Sequence, residues 1–404
     1  MIINNTIINK VISISYGGDG IIKEEGITGF VGNAILGEVV KSRVSEIKHN
    51  YFRSELIEVL EPSPFRIQPL CRYFGKCGGC VYQHIDYGKH PEIKTAQLKE
   101  LLNKIGKIDY AKNVNFITSP KAYSYRNQLT VKTKTIRGNF ETGFIGFDNK
   151  TFVPIDKCLL AKDSINNTIA DIKKELAKSV KIKKLEGEIT IKSSKDDKID
   201  FAFLESIHPK GNYKPLYETI EDKTYYFSLS TFFQTNPYIL PALMSELKNI
   251  LNFESSETLF DLYCGTGLFS IYFSSFVKSV CGIELNPSGI RLAQKTAEIN
   301  NIKNCKFFEG NVSESFVEIF NRYKTGRDII MLDPPRAGLS KEMTKFLTET
   351  KINKLAYVSC EPSRLSRDLN ILCNNGYHIT DIFIADMFPQ TMHMETIAVL
   401  SNNH

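Results

Sequence analysis

"ETLFDLYCGTGLFS", residues 257–270, joins an apolar strand to a glycine-rich turn and then to a helix. Asp261 lies near the end of the strand, and Gly265 and Gly267 follow it in the turn. Glycine lets the backbone turn tightly into a helix and come close to a ligand. The spacing differs from the G-x-G-x-x-G of dinucleotide-binding enzymes and therefore does not favour NAD. The segment predicts a nucleotide-type site at a strand end.

Strand and helix alternate from about residue 231 to the end of the chain. Helical stretches such as "SGIRLAQKTAEINN" separate apolar strands that end in polar, glycine or proline residues. The strands are "ETLFDLYCGTG", "KSVCGIEL", "NCKFFEG", "DIIMLDPP" and "KLAYVSCEP". This alternation is typical of an α/β, doubly wound and mostly parallel sheet of the Rossmann-like kind, in which ligands bind beyond the carboxyl ends of the strands.

Two acidic residues lie at further strand ends of this predicted sheet. Glu284 in "CGIELN" follows the glycine turn by about twenty residues, the position from which a carboxylate holds two ribose hydroxyls. Asp333 in "LDPPRAGL" precedes two prolines that stiffen the loop. The combination fits S-adenosylmethionine (SAM). The alternative is an ordinary loop with glycines and a surface glutamate.

Composition indicates an ordinary globular protein rather than a membrane protein. The 404 residues are 42% hydrophobic and 24% charged, a length at which two or three domains are expected. No apolar stretch has membrane-spanning length, and the start "MIINNTIINK" lacks the pattern of a secretory signal, so we expect a cytoplasmic protein. The net charge of +6 is mild but compatible with a nucleic-acid partner.

The first 61 residues read as short strands broken by glycines. "NKVISISYGGDGIIKEEG" and "GFVGNAILGEVVKSRVSEIK" alternate apolar and polar residues with a period of two. Short strands with glycine-rich turns and no helix predict a small barrel of the oligonucleotide-binding type. "EPSPFRIQP" reads as a linker, and "PEIKTAQLKELLNKIG" predicts an amphipathic helix.

Nine cysteines in a chain without an export signal favour catalysis or metal binding over a disulfide framework. Cys360, in "KLAYVSCEPSRLSRD", follows a strand and is either a packed core residue or a nucleophile at the rim of the sheet. Cys71, Cys77 and Cys80 form C-x5-C-x2-C, and Cys158 is able to complete a four-thiolate site. Zinc and an iron–sulfur cluster both suit four thiolates, so the residues alone leave the two open.

Five motifs occur in the order found in RNA uracil-C5 methyltransferases, a SAM-dependent family that forms 5-methyluridine. They are "FFQTNP", "DLYCGTG", "LDPPRAGL", "VSCEPSRLSRDL" and "MFPQTMHMETIAVL". The chain resembles the iron–sulfur branch of that family, which acts on 23S ribosomal RNA, from about residue 10 to residue 400. Its "ISYGGDGI" resembles a TRAM domain, a small RNA-binding barrel.

The resemblance implies three domains. Residues 1–61 form a TRAM-like, OB-like β-barrel. Residues 62–82 and 115–230 form a central α+β iron–sulfur domain. Residues 83–114 and 231–404 form the SAM-dependent methyltransferase domain.

The resemblance also implies roles for single residues. Cys360 is the nucleophile, because a thiolate that adds to carbon 6 of uracil makes carbon 5 reactive, and Glu395 is the base that then removes the carbon-5 proton. His393 is an alternative base. The SAM contacts implied by the resemblance are Gln234, Tyr263, Glu284 and Asp333. We add Asn311 as an adenine contact. A 4Fe–4S cluster is held by Cys71, Cys77, Cys80 and Cys158.

The predicted reaction is SAM-dependent methylation of carbon 5 of a uridine in structured RNA through a covalent bond between Cys360 and carbon 6. The target RNA is 23S ribosomal RNA, with transfer RNA as the alternative, and we expect a monomer that does not bind a membrane. Two other functions are compatible with parts of the pattern. "DPP" also ends a strand in enzymes that methylate amino groups of bases, and a non-catalytic RNA-binding assembly factor would keep the same fold.

Overall fold

A computed structural model describes residues 2–178, 186–204 and 214–402. The chain folds into two compact units. The first unit comprises residues 1–100, 144–155 and 388–392, and the second comprises residues 101–143, 156–387 and 393–404. No helix in the described ranges is both long enough and apolar enough to cross a bilayer.

The first unit contains the predicted short strands of residues 1–61, without a helix among them. The strands are β1 (Thr6–Lys10), β2 (Ser13–Ile14), β3 (Gly20–Glu24), β4 (Ile27–Val31), β5 (Val39–Ile47) and β6 (Tyr51–Glu61). They form one sheet in the order β1-β5-β6-β4-β3-β2, in which β4 and β6 pair in parallel. Alternate residues such as Val31, Val44 and Phe52 are fully buried in one core, which explains the period of two in the sequence.

The first helix, α1 (His90–Lys104), lies where the sequence predicts a helix, but its buried residues include the polar Lys94 and Gln97 besides Leu98 and Leu102, so the amphipathic pattern is weak. Its residues up to Glu100 belong to the first unit, where the Gln97 side-chain amide donates to the carbonyl of Ser15 at 2.6 Å. The resemblance instead assigns residues 83–114 to the methyltransferase domain. The three-domain division as a whole stays a prediction, and its central part includes residues 179–185 and 205–213, which lie outside the described ranges.

The middle of the chain adds a second, mainly antiparallel sheet. The elements in this middle part of the chain, not all of which belong to that sheet, are β7 (Asn115–Ile117), β8 (Gln128–Ile136), β9 (Asn139–Ile145), β10 (Phe152–Pro154), α2 (Asp163–Lys178), β11 (Glu186–Ser193), β12 (Ile199–Leu204), β13 (Leu216–Ile220) and β14 (Lys223–Phe227). Within the second unit the order is β9-β8-β11-β12, each pair antiparallel, with α2 packed on β11 and β12. Strands β13 and β14 form a hairpin.

The rest of the second unit has the predicted alternation of strand and helix. Its elements are α3 (Leu240–Leu251), β15 (Thr258–Leu262), α4 (Leu268–Phe273), β16 (Ser279–Glu284), α5 (Pro287–Ile299), β17 (Cys305–Glu309), α6 (Val312–Tyr323), β18 (Asp328–Leu332), α7 (Lys341–Thr350), β19 (Lys354–Ser359), α8 (Pro362–Asn374), β20 (His378–Ala385) and β21 (Glu395–Ser401). All five residues of β15 and of β18 are buried, as expected for strands covered on both faces.

These strands form an eight-stranded sheet in the order β17-β16-β15-β18-β19-β21-β20-β7. Strands β17 to β19 are parallel, and β21 lies antiparallel between β19 and β20. The chain leaves β15 toward β16 and later returns to β18 on its other side. That reversal of strand order opens a crevice at the carboxyl ends of β15 and β18, where ligands bind in doubly wound sheets. The α/β fold class is confirmed.

Candidate active site

The glycine turn after β15 has the backbone geometry that its sequence predicts. Gly265 and Gly267 have φ angles of 56° and 84°, and Tyr263 has a φ of 65°, all in the left-handed region that favours glycine. The Asp261 carboxylate accepts hydrogen bonds from the amide of Ser270 at 2.9 Å and from its hydroxyl at 2.6 Å. This carboxylate therefore ties the strand to helix α4 and fixes the turn between them.

Glu284 lies at the end of β16 and faces the same turn. Its two carboxylate oxygens accept from the amide of Gly265 at 3.1 Å and from the amide of Asn286 at 2.7 Å. Gly289 lets helix α5 approach closely, because a Cβ there would lie 2.8 Å from the carbonyl oxygen of Gly265. The predicted ribose-binding carboxylate is thus held rigidly beside the glycine turn.

A pocket opens at the carboxyl ends of β15 and β18. Three of the five predicted SAM contacts, Gln234, Tyr263 and Asp333, line it together. Other lining residues come from the loop after β14, from the glycine turn after β15 and from the first turn of α4: Phe232, Phe233, Cys264, Gly265, Thr266, Leu268 and Phe269. Sequence reasoning did not single out the α4 residues, although any helix that begins at a glycine turn aims its first residues toward a ligand there.

Asn311 occupies a different position from the other predicted SAM contacts. It follows β17 and is the N-cap of helix α6, where its side-chain oxygen accepts from the amide of Ser313 at 3.0 Å. Its side-chain amide donates to Glu314 at 3.1 Å. Asn311 is exposed and does not line the pocket, so its assignment as an adenine contact stays a prediction.

Asp333 lines the pocket at the end of β18 and is hydrogen-bonded to the end of β15. Its backbone amide donates to the carbonyl of Leu262 at 3.3 Å, so the stiff Pro-Pro loop begins directly beside β15. Burial, together with repulsion from the nearby Asp261 and Glu284 carboxylates, raises the pKa of the Asp333 carboxyl to about 7. A carboxyl with that pKa is able to donate as well as accept a hydrogen bond near neutral pH.

Cys360 and Glu395 are brought together by strand register. Strands β19 and β21 pair antiparallel up to Ser359 opposite Thr396, Cys360 is the next residue after β19, and Glu395 begins β21. The Glu395 carboxylate is close enough to raise the pKa of the Cys360 thiol. The two residues are 35 positions apart in the chain, and Glu395 is only 3% exposed. Cys360 is half-buried at the end of its strand. The register therefore places a thiol and a buried carboxyl side by side at the edge of the crevice.

The environment of this pair raises the pKa of both side chains. Burial, with repulsion from the Glu395 carboxylate as the second cause, raises the pKa of the Cys360 thiol to about 11, and Arg336 opposes the rise. Burial also raises the pKa of Glu395 well above its usual value, with repulsion from Asp333 as the second cause. A carboxylate with a raised pKa is a stronger base than an ordinary one.

His393, the alternative base, lies two residues before β21, which begins at Glu395. The pairing of β19 with β21 ends at Thr396, so it does not decide between Glu395 and His393. The choice of Glu395 as the base stays a prediction.

The predicted cluster cysteines lie in both units. In the first unit the half-buried Cys71, Cys77 and Cys80 lie on an irregular loop, and Cys77 forms an isolated β-bridge with Gly146. In the second unit the Cys158 amide donates to Asn166, whose side-chain amide returns a bond to the Cys158 carbonyl. No disulfide joins any of the nine cysteines, all of which are among the described residues.

The donor chemistry of four thiolates fits a cluster or zinc. Among the described residues, however, no three Cys, His, Asp or Glu side chains come together as a metal-binding group. The assignment of a metal centre to these cysteines stays a prediction.

Comparison with known proteins gives consistent matches over nearly the whole chain. A profile of the tRNA (uracil-5-)-methyltransferase family matches residues 159–403. An uncharacterized RNA methyltransferase of Aquifex aeolicus is 32% identical over 423 residues, which cover 96% of this chain and 97% of that protein. One from Protochlamydia amoebophila is 29% identical over 427 residues, covering 98% of each chain.

A solved structure shares the fold along the full length. It is the crystal structure of Pyrococcus abyssi tRNA (uracil-54, C5)-methyltransferase in complex with S-adenosyl-L-homocysteine. The two chains superpose with a TM-score of 0.72 at 24% sequence identity, covering 97% of this chain and 100% of that one.

Proposed function

The chain belongs to the tRNA (uracil-5-)-methyltransferase family and is a SAM-dependent RNA methyltransferase, and on this basis we propose that it methylates carbon 5 of a uridine through a covalent bond from Cys360. The observation that supports the proposal is the antiparallel pairing of β19 and β21, which ends at Ser359 and Thr396, so that Cys360 and Glu395 are the next residues beyond that pair. Asp333 connects this pair with the pocket, since it lines the pocket and repels Glu395.

The reaction needs one thiolate and one base. The Cys360 thiolate adds to carbon 6 of the uracil, and the electrons of the carbon 5–carbon 6 double bond move toward the carbonyl, so that carbon 5 becomes nucleophilic. SAM supplies the methyl group. The Glu395 carboxylate then takes the proton from carbon 5, the electrons of that carbon–hydrogen bond restore the double bond, and Cys360 leaves as a thiolate.

The pKa shifts divide these tasks between the two side chains. A thiol with a pKa of about 11 is almost fully protonated near neutral pH, so in the free enzyme Cys360 is not an active nucleophile. The thiolate has to form when the substrate is in place, with Arg336 as the cation that favours it. The raised pKa of Glu395 suits a base that receives a proton from carbon.

Five residues are proposed to hold SAM in the pocket at the carboxyl ends of β15 and β18. Glu284 binds the ribose hydroxyls, which is supported by its rigid attachment to the Gly265 amide. Gln234, Tyr263 and Asp333 line the pocket directly. Asn311 contacts the adenine from the start of helix α6, a role that requires a rotation away from its capping hydrogen bond.

The proposed substrate is structured RNA, with 23S ribosomal RNA as the target. The net charge of +6 and the small β-sheet unit at the start of the chain, which we take as a TRAM-like barrel, support RNA binding. The target uracil has to leave the base stack to reach Cys360, which favours a loop where stacking is weak. We propose that the enzyme acts as a cytoplasmic monomer. Cysteines that form no disulfide fit a reducing compartment.

Mapping of 5-methyluridine tests the RNA target. The modification should be lost from 23S ribosomal RNA in cells that lack the gene, and should return with the gene on a plasmid. Loss from transfer RNA alone would overturn the ribosomal target while leaving the chemistry intact.

We also propose a 4Fe–4S cluster on Cys71, Cys77, Cys80 and Cys158, which would brace the central domain without taking part in methyl transfer. The number of thiols and the C-x5-C-x2-C spacing support it. Protein purified without oxygen should contain about four iron atoms per chain, and Cys158→Ser should lose most of them. Stoichiometric zinc in place of iron would contradict the proposal.

The covalent step is tested with RNA that contains 5-fluorouracil. Fluorine at carbon 5 blocks proton removal, so the wild-type enzyme and SAM should form a complex that survives denaturation. Cys360→Ala should form none, whereas Cys373→Ala, on helix α8, serves as a matched cysteine control. An amino-group methyltransferase would keep its activity in Cys360→Ala, and a non-catalytic assembly factor would transfer no methyl group in any variant.

A further inference from the structure

Lys192 is a buried lysine near the end of β11, in the antiparallel sheet rather than in the methyltransferase sheet. It is 2% exposed. Its ammonium group donates hydrogen bonds to the backbone carbonyls of Ser228 at 2.9 Å and of Thr231 at 2.5 Å. No carboxylate in the described part of the chain forms a salt bridge with it. Burying an ammonium group whose partners are two backbone carbonyls costs free energy. The role of Lys192 is therefore sought in the segment to which these two carbonyls belong.

The two carbonyls belong to one tight turn. The Thr231 amide donates to the Ser228 carbonyl at 3.2 Å, and the Ser228 amide donates to the Thr231 hydroxyl at 2.9 Å. The ammonium group of Lys192 bridges both ends of this turn. It thereby restricts the backbone of Thr231, the residue directly before Phe232.

That next segment is the pocket wall. Phe232, Phe233 and Gln234 follow the turn directly, and all three line the pocket. Phe233 and Gln234 are 3% and 4% exposed, whereas Phe232 is 63% exposed. The turn therefore sets where the aromatic rings and the amide stand relative to a ligand.

The far end of the same segment is attached to the same sheet. The Asn127 side-chain amide donates to the Gln234 carbonyl at 3.2 Å, and its backbone amide donates to the Thr235 carbonyl at 2.9 Å. The Asn127 carbonyl in turn accepts from the amide of Ser193, the neighbour of Lys192. Lys192 and Asn127 thus support both ends of the pocket segment from the same end of the adjacent strands β11 and β8.

We propose that Lys192 is a positioning residue for SAM binding, which acts by fixing the turn that presents Phe232, Phe233 and Gln234 to the pocket. The inference rests on the proposed role of this pocket in holding SAM. Burial lowers the pKa of Lys192 to about 7, which fits a group that is kept for its hydrogen-bond geometry at the expense of its hydration.

Lys192→Met is the direct test, because methionine fills a similar volume without donating hydrogen bonds. In the full-length protein the KM for SAM and the Kd of S-adenosylhomocysteine should rise about tenfold, while kcat at saturating SAM changes less than about threefold. Lys132→Met on the neighbouring strand β8 is the matched control, since Lys132 is exposed and pairs with Glu188 on the sheet surface. It should leave both constants unchanged.

A second variant addresses the same turn without removing the lysine. Thr231→Val keeps the shape of the side chain and deletes the hydroxyl that accepts from the Ser228 amide. It should raise the KM for SAM several-fold, so the inference remains testable if Lys192→Met does not fold. The midpoint of urea unfolding is measured for each variant.

The outcomes separate this inference from the proposed function. If Lys192→Met and Thr231→Val lower only stability or the active fraction, with an unchanged KM for SAM, Lys192 is merely structural and the inference fails. If Gln234→Ala weakens ligand binding while Lys192→Met does not, the proposed SAM pocket stands and the inference fails. If Gln234→Ala and Glu284→Gln both leave binding unchanged, the SAM pocket itself is wrong and the inference fails with it.

Discussion

The acidity of Cys360 can be measured through its reaction with iodoacetamide, an electrophile that is attacked by thiolates and not by thiols. In the free enzyme burial raises the pKa of Cys360 to about 11, with the Glu395 carboxylate as the second cause and Arg336 in opposition. The perturbation is a series of pH values from about 6.5 to 10, applied to the native protein and to the same protein unfolded in urea. In the unfolded chain the thiol should titrate near 8.5.

The expected magnitude follows from two opposing effects. At pH 7.5, raising the pKa from about 8.5 to about 11 lowers the thiolate fraction about 300-fold. A more basic thiolate is a better nucleophile, and a Brønsted slope of about 0.45 over that interval returns about tenfold. The loss of thiolate is the larger effect. Native Cys360 should therefore react roughly 30-fold more slowly than the unfolded control.

The assay is mass spectrometry of the peptide that contains Cys360, sampled over time at each pH. Steric protection would slow the reaction equally at every pH, so the slope decides the interpretation. The native rate should still rise about tenfold per pH unit between about 8.5 and 10, where the unfolded control levels off. Glu395→Gln should move the profile to lower pH, and Arg336→Met to higher pH. A native profile that levels off below about pH 9 would refute the reasoning.

Three further predictions concern the same unit. Glu395→Gln should raise the free energy of unfolding more at pH 8 than at pH 4.5. The folded-state pKa of Glu395 lies above its unfolded value, so the wild type loses stability as the pH rises from the unfolded pKa to the folded one. Equal differences in the urea midpoint at the two pH values would contradict this. Gly338→Ala should destabilise the protein by roughly 1–3 kcal/mol in urea unfolding and should lower kcat. Gly338 has a φ of +82°, and a Cβ there would lie 2.6 Å from Asp368, whose carboxylate accepts from the Leu339 amide. Unchanged unfolding would show that the loop accommodates the methyl group. Glu284→Gln should weaken S-adenosylhomocysteine binding about 10- to 100-fold in calorimetry. The glutamine side chain accepts hydrogen bonds from two ribose hydroxyls and from the Gly265 backbone N–H less well than a carboxylate does. Binding equal to wild type would show that Glu284 is not part of the site.

Much of the site could be predicted from the sequence because parallel strands place their carboxyl ends along one edge. The acidic residue, the glycine turn and the Pro-Pro loop each follow a buried apolar strand, so their proximity required only the recognition of the strands. The short strands of the first 61 residues were equally readable, since one buried face imposes a period of two.

Other features depended on contacts that no local pattern encodes. The chain order predicts neither that β21 enters the sheet between β19 and β20 nor its register, and that register is what sets Glu395 beside Cys360. The role of Lys192 was likewise invisible, because a lysine near the end of a strand looks solvent-exposed until the turn at Ser228 folds over it. The raised pKa values of Cys360 and Glu395 arise from burial, which is a property of the packed structure.

The sequence by itself thus determined the α/β class, the strand-end residues and the family, because hydrophobic period and short motifs are local properties of the chain. Only the tertiary structure decided how β21 brings Glu395 toward Cys360, in which direction burial shifts the pKa of each, and which buried lysine supports the pocket wall. The physical reason is that strand register and desolvation are set by long-range packing, and these two determine both distance and charge at the site.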